Sequence, residues 1–554
     1  MKKLVFILMI LLSSLLIFVS CGEPTSTTTT TSPTTTSSQP QTTPPPTTTS
    51  PTTTSPSMTT TPPTTTTPPV TTDTPQYGGT LKIMLIGGPQ TPGGWPVDVF
   101  GPDATSYQFC MEALLRGDNM GGVSPWLAES YEVAEDMMSV TFNLRKDVKF
   151  HDGTDFNAEA AKWNLDNHIE NMSSYAQYWS SIDIVDEYTI RVNFNVWTNT
   201  IINGFTGVGA WMVSPTAFEA NGVDWMRDNP VGTGPFTFAN FQRDVNYEVI
   251  KNPDYWMEGK PYLDGIEVIY VADPMTQKAA MQAGEAHMLE LEPGLMAKEL
   301  QDMGLRAEFD IITVYCFLPD SAHPDSPYAI QQVREAIGHA IDRESLANNF
   351  SYGYWEAPYQ IPPTSNAAYN PDFAYAREYN IDQAKQLLSD VGYTNGFDTT
   401  ILVNPAIVER NIAVALQSNL ADIGINAELS FPANMGAFIV DSNSLNNVLV
   451  IQPIMSSPNF NSTWMFFLGP DAWWNQNFLP SPEFLELKDA SLFAPTMDVD
   501  LIRAACDELS KEAAAIPIMQ AGLGWVMQTN IMGGGFFEGS SSSVFHSEDV
   551  WLKE

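Results

Sequence analysis

Along the second half of the chain, apolar residues recur at three- and four-residue spacing. Val333, Ala336, Ile337, Ala340 and Ile341 share one face of a helix. Asp382 precedes a second helix whose inner face is Ala384, Leu387, Leu388 and Val391, with Gly392 as its stop. Ile412, Leu416, Leu420 and Ile423 make a third stripe closed by Gly424, and the strand Ile425 to Leu429 follows. Nearer the N-terminus the period changes to two. Thr80 to Ile86 behind a Gly-Gly turn, Val140 to Arg145 and Thr189 to Phe194 alternate as half-buried strands do. Strands interleaved with helices at this spacing predict an α/β protein with mixed sheets.

The pattern is different before Tyr77. Lys2 and Lys3 form a short positive region, and Leu4 to Val19 is an apolar and hydroxyl run too short for a membrane span of about 20 residues, as in a secretory signal. It ends in Phe18-Val19-Ser20-Cys21-Gly22, which resembles a lipobox with Phe18 where Leu is usual. Residues 1–21 are therefore expected to be a lipoprotein signal peptide, with Cys21 lipidated as the mature N-terminus. No twin-arginine pair is present. Residues 22–76 are almost wholly Thr, Ser and Pro and offer nothing to bury, so they are expected to form an extended, disordered tether. At about 3.1 Å per residue such a segment reaches on the order of 100 Å from a membrane. Its dense hydroxyls suit O-glycosylation.

Charge narrows the partners. The chain holds 25 Lys plus Arg against 64 Asp plus Glu, a formal net charge of -39. A surface that acidic repels phosphate backbones, so nucleic acid is excluded as a partner. The carboxylates are scattered and read as a solvated surface. No apolar stretch after Val19 is long enough to span a bilayer, leaving the lipid as the membrane contact. Cys110, Cys316 and Cys506 show no C-x-x-C spacing, and an odd number cannot pair completely, so buried free thiols are expected.

Chemical motifs are scarce. There is no G-x-S-x-G, no H-E-x-x-H and no carboxylate pair that stands out, which argues against an extracellular hydrolase. Internal repeats that a surface-layer role would need are lacking. His151-Asp152-Gly153 reads as a turn, with Gly153 supplying backbone freedom and Asn157 capping the helix that starts near Ala158. Gly232-Thr-Gly-Pro235 lacks the Lys and the spacing of a phosphate loop and is also read as a turn. Arg334 and Asp342 are expected to steady their helices. No cofactor or metal is expected, since the 6 histidines form no cluster.

Several motifs in one order carry a resemblance. Gly78-Gly-Thr-Leu-Lys82, Pro125-Trp-Leu-Ala-Glu-Ser-Tyr131, Phe142-Asn-Leu-Arg-Lys-Asp-Val-Lys-Phe-His-Asp-Gly153, Gly232-Thr-Gly-Pro-Phe236, Asn252-Pro-Asp-Tyr-Trp256 and Gly259-Lys-Pro-Tyr-Leu-Asp264 are followed by Val333-Arg-Glu-Ala-Ile337, Ala340-Ile-Asp-Arg-Glu344 and Ala384-Lys-Gln-Leu-Leu388. From Tyr77 to Glu554 the chain resembles the family 5 extracellular solute-binding proteins, which include oligopeptide, dipeptide, nickel and some oligosaccharide receptors. The resemblance implies a bilobed, periplasmic-binding-protein-like α/β clamshell with mixed sheets and an extra inserted domain. Lobe I would comprise 77–116, 229–312 and 515–554, the inserted domain 117–228, and lobe II 313–514, with two crossing strands as hinge. It also implies a monomeric, non-enzymatic binding lipoprotein on the extracytoplasmic side of the cell membrane. Such a protein captures a small solute between its lobes and delivers it to the permease subunits of an ABC transporter.

The solute class is open between an oligopeptide, which the family implies, and an oligosaccharide. Peptide receptors of the family hold the ligand's ammonium with an aspartate in a segment that corresponds here to Val450 to Asn459, and no aspartate is present. Ser442 to Pro470 carries no charged side chain at all, and such a wall cannot neutralise a buried ammonium. Either another carboxylate holds it or the solute is neutral. Aromatic residues crowd the same region, and rings flanked by Asn and Ser suit both sugar faces and apolar peptide side chains. Ser456, Ser457, Asn459, Trp464, Trp473 and Trp474 are the candidate ligand-binding residues. Trp473 and Trp474 are adjacent, so in an extended stretch only one faces the cleft. The lipobox reading is checked by fractionation: Cys21→Ala releases the protein from the membrane fraction, and wild-type protein that is already soluble in its own cell contradicts it.

Overall fold

The computed structural model describes residues 74–554, apart from 90, 100–106, 119–120, 405–407, 434, 468–476 and 535–545. The apolar N-terminal run, Cys21 and the Thr/Ser/Pro segment up to residue 73 lie outside the described residues. No helix among the described residues is long and apolar enough to cross a membrane.

The largest element is a mixed sheet of 10 strands. In chain order these are β1 (Thr80–Leu85), β2 (Phe236–Gln242), β3 (Asn246–Lys251), β4 (Gly265–Tyr270), β5 (Met288–Leu291), β6 (Arg306–Pro319), β7 (Asp398–Leu402), β8 (Asn426–Ser430), β9 (Val448–Met455) and β10 (Ile516–Met527). Their order across the sheet is β8-β7-β9-β6-β10-β5-β1-β4-β3-β2. β1 runs parallel to β4 and β5, β7 runs parallel to β8 and β9, and the other pairs are antiparallel. Both faces are covered, so the central strands are continuously apolar: the second half of β6 and nearly all of β10 are buried.

The covering layers differ between the two halves. Under β1, β5 and β10, the helices Pro274–Ala283 and Leu295–Asp302 close a core of Met84, Met281, Leu289, Ala297, Leu300 and Val526. The other face of that half shares one core, from Leu81 and Ile83 to Val140, Phe142 and Ile190, with a four-stranded antiparallel sheet ordered Ala128–Val133, Ser139–Leu144, Thr189–Phe194, Trp179–Asp186. In the second half, helices Gln331–Ala340, Arg343–Phe350, Ile381–Asp390 and Arg410–Ala421 pack on one face. Helices Asn461–Phe467, Pro482–Leu492 and Val499–Lys511 lie on the other, around Phe460, Phe484 and Leu509.

The helical stripes fall where their spacing places them: Val333, Ala336, Ile337, Ala340 and Ile341 are all 0 % exposed. One boundary moves. The second helix begins at Ile381 because extended Asn380 caps it, its side chain accepting from the Gln383 N–H at 3.0 Å. Asp382 sits instead in the first turn, where a negative charge meets the positive end of the helix dipole. The His151-Asp152-Gly153 stretch is a turn, with Gly153 at φ +83° and Asn157 capping the Ala158–Glu170 helix. Gly232 is needed for close approach, since a Cβ there would lie 2.0 Å from the Cys110 carbonyl oxygen. Arg334 donates to the carbonyls of Glu512, Tyr328 and Ala329, and Asp342 caps the Arg343–Phe350 helix. Cys110, Cys316 and Cys506 are free and buried.

A buried carboxylate ties the first half together. Glu112, 5 % exposed, accepts from Trp126 Nε1 at 3.0 Å, Tyr255 Oη at 2.7 Å, Trp256 Nε1 at 3.1 Å and Thr233 Oγ1 at 2.9 Å. Beside it the Arg116 guanidinium lies 3.3 Å over the Trp126 ring and pairs with Glu548 at 2.8 Å. Burial pushes the Glu112 carboxyl up from 4.5 to about 7, against the downward pull of its Tyr255, Thr233 and Trp256 donors. The folded state therefore holds this proton more tightly than the unfolded chain, and the stability linked to it is present below pH 4.5 and lost as pH rises through about 7. Glu112→Gln is expected to flatten the pH dependence of Tm across that window in a thermal melt. Glu112→Ala is expected to cost about 1–3 kcal/mol for each donor left unpaired.

Candidate functional site

Two strands carry the sheet from one half to the other, and their register builds the floor of the candidate site. β10 pairs with β5 and with the first part of β6, so that Glu290 and Glu308 are both register partners of Trp525 and flank it on one face. Asp310 is the partner of Leu523 on that same face. The opposite face carries Leu289, Leu291, Ala307, Phe309 and Val526 into the core beneath the helices. On β5 and the first part of β6, alternation thus sets the carboxylates on the face that also carries the buried Trp525, and apolar side chains on the other. Arg306 pairs with Glu308 at 3.0 Å.

Glu292 follows β5 directly. Its side chain is exposed, yet desolvation raises its carboxyl to about 7, with the Glu409 charge as the second cause. Glu409 stands at the start of the Arg410–Ala421 helix in the other half of the molecule, and burial, with the Glu292 charge second, raises the phenol of Tyr315 on β6. Burial also raises Asp310. Carboxylates of the two halves thus lie within electrostatic reach of one another, an acidic recess at the crossing strands.

At the crossing itself the ladder is irregular. Between Asp310 and Thr313, β6 holds one residue more than its partner, a bulge opposite Gly522. A Cβ on Gly522 would lie 2.3 Å from the Asp310 carbonyl oxygen. A second shift falls at Cys316 opposite Pro517, which has no N–H to give to a ladder. The pairing between the halves is thus interrupted at two places.

The turn after β9 brings Ser456, Ser457 and Asn459 together beside the β6 bulge. Ser456 is 3 % exposed and its N–H donates to Ile312 O at 2.7 Å. The Ser457 N–H donates to Thr463 Oγ1 at 3.1 Å, and its carbonyl accepts from Asn366 Nδ2 at 2.9 Å. Asn459 Nδ2 reaches Asn199 Oδ1 at 3.1 Å, in the segment that follows the four-stranded sheet. Gly121 approaches the same turn, its Cβ direction 3.3 Å from the Asn459 nitrogen. Trp464 is apart from these. It is 1 % exposed, edge-on to Phe460 and Phe484 at 4.9 and 5.3 Å, and presents no face to a cleft in this conformation. Trp473 and Trp474 lie outside the described residues.

Sequence reading passed over the floor carboxylates and Asn199. A signal for the former was present, since Met288-Leu-Glu-Leu-Glu292 and Arg306-Ala-Glu-Phe-Asp310 alternate apolar and acidic residues. No local pattern marks Asn199.

The chain belongs to the bacterial extracellular solute-binding proteins, family 5, whose family model matches residues 122–478. This is a family of binding proteins, not of enzymes. The chain is 32% identical over 317 residues to the glutathione-binding protein GsiB of Shigella flexneri serotype 5b, a match covering 55% of this chain and 60% of that relative. Among solved structures it is similar to the ABC transporter-associated periplasmic binding protein DppA from Helicobacter pylori in complex with the peptide STSA (TM-score 0.72, 21% identity, 86% of this chain and 99% of that one). It is also similar to NikA from Brucella suis in complex with Fe(III)-EDTA (TM-score 0.74, 20% identity, 86% and 100%). The fold is thus the bilobed clamshell of these binding proteins.

Because Trp464 is enclosed, Trp464→Ala is expected to act on stability, lowering it by about 3–5 kcal/mol in denaturant unfolding as a large core cavity does. Unchanged stability with weakened solute binding would return the indole to the cleft wall.

Proposed function

We propose that this chain is the solute-receiving lipoprotein of an ATP-driven importer, anchored through Cys21 and working as a monomer outside the cytoplasm. It takes a solute carrying a cationic group, in the size class of an oligopeptide, and hands it to the permease subunits when the lobes have closed. The observation that carries the solute class is the acidic recess: Glu290, Glu292, Glu308 and Asp310 line or adjoin the crossing strands, and Glu409 faces them from the other half. A peptide ammonium buried there meets the countercharge that the neutral Ser442 to Pro470 wall lacks. Support also comes from GsiB, a glutathione-binding protein by name, since glutathione is a small peptide with a free ammonium.

A second reading, a neutral oligosaccharide, is favoured by the uncharged amides and hydroxyls of Ser456, Ser457 and Asn459. On the first reading, the domains divide as the family implies, with 117–228 moving as one body with lobe I and β6 with β10 as the hinge.

Calorimetric titration with free and N-acetylated oligopeptides, glutathione, and cello- and xylo-oligosaccharides separates the two readings. Binding of free-amine peptides lost on acetylation supports the first, and binding of sugars alone overturns it. Affinity for the cationic solute is expected to weaken as pH falls through about 7, where Glu292 takes up its proton. Glu292→Gln is expected to remove that pH dependence and to cost about 1.5–3 kcal/mol, the worth of a hydrogen bond to a charged group.

A further inference from the structure

The four-stranded body meets the two halves of the large sheet in different ways. Toward the first half it shares a single apolar core, in which Val140, Phe142 and Ile190 continue into Leu81 and Ile83. Toward the second half the junction is built from amides and hydroxyls. Asn199 is its centre. Its backbone N–H donates to Leu492 O at 3.0 Å, and its Nδ2 donates to Ser491 O at 2.6 Å and Thr496 O at 3.3 Å. Its Oδ1 accepts from Asn459 Nδ2 and Asn461 Nδ2, both at 3.1 Å, and its carbonyl accepts from Asn459 Nδ2 at 3.2 Å. Asn461 is held in turn by the Ser491 hydroxyl at 2.6 Å. Nearby, Trp197 Nε1 donates to Ala494 O at 3.2 Å. The seam is dry: Asn199 is 8 % exposed, Asn459 3 %, and Asn461 and Ser491 0 %.

An apolar core welds, because separating it exposes hydrocarbon to water. A satisfied amide network separates at little net cost, because water replaces each bond. It forms only in register, since a half-made buried network leaves unpaired donors and acceptors. We propose that the Asn199–Asn459–Asn461–Ser491 network is a latch that forms as the lobes close, and that it sets how strongly the closed form is favoured whichever solute is bound. The inference rests on the reading that the halves close around a solute, but not on what that solute is.

Asn199→Asp is the direct test in the full chain. It keeps the shape and the acceptor but puts carboxylate oxygen against the Ser491 and Thr496 carbonyls, a clash that opening relieves. Small-angle scattering of the solute-free protein is expected to show a larger radius of gyration for Asn199→Asp than for wild type. Every solute that binds wild type, peptide or sugar, is expected to bind the variant about tenfold more weakly, since apparent affinity scales with the closed-competent fraction. Asn199→Ala, which removes the side-chain bonds without adding charge, is expected to shift both readouts in the same direction and keeps the test available should the aspartate variant fail to fold. Unchanged radius and affinity with a lower Tm would overturn the proposal and make the seam a permanent joint. If no solute in the panel binds wild type, the binding reading fails on its own, and the solute-free radii still decide the latch.

Discussion

The pairing of β6 with β10 is the constraint on which the rest of the structure depends. These strands are central to a sheet of 10, and each belongs to both halves: β6 pairs with β10 along most of its length and with β9 at its far end, while β10 passes from β6 to β5. A ladder of this kind resists shear and transmits register, so the floor residues keep their alternation whatever the halves do. Its hydrogen-bond sequence is broken where β6 holds an extra residue and where Pro517 faces Cys316. The acidic strand face and the interruption in the ladder thus belong to one pairing: the register that lines up Glu290, Trp525 and Glu308 ends in the bulge at Asp310 to Thr313.

Legibility in the sequence followed the range of the interaction. Helical stripes such as Val333 to Ile341 and strands such as Thr189 to Phe194 are local patterns, and they fold as their periods require. The turn at Gly153 and the cap at Asn157 were equally local. Family membership was readable because many short motifs keep one order, each reflecting a turn, a cap or a close contact such as Gly232 on Cys110. The site was less legible. Trp464 lies in a charge-free, aromatic stretch, and composition alone does not distinguish a ring on a cleft wall from one wedged between Phe460 and Phe484. The acidic floor needs the pairing of segments far apart in the chain with either side of β10, and nothing near Glu290 announces Glu308. Asn199 is the extreme case, an amide whose partners lie 260 or more positions away.

Electrostatics gives the molecule two kinds of polar contact with different physics. The formal charge of -39 surrounds the carboxylates at the crossing strands with a field that favours cations over anions. Such forces act at a distance and are screened by salt. The seam around Asn199 holds no charged side chain and acts only at contact. Salt therefore affects the two kinds of contact unequally.

The free thiols lead in another direction. Cys110 lies in the core that the first half shares with the four-stranded body, whereas Cys316 and Cys506 lie together in a core of the second half. Burial pushes Cys110 up to about 12 and raises Cys316 and Cys506 as well, so each is held as an unreactive neutral thiol while its own core is intact. Each half consequently carries a native chemical clock. An alkylating reagent added under native conditions reaches Cys110 at the rate at which the first core opens, and Cys506 at the rate of the second. Mass spectrometry of the modified peptides then reads the two local opening rates from one unaltered chain.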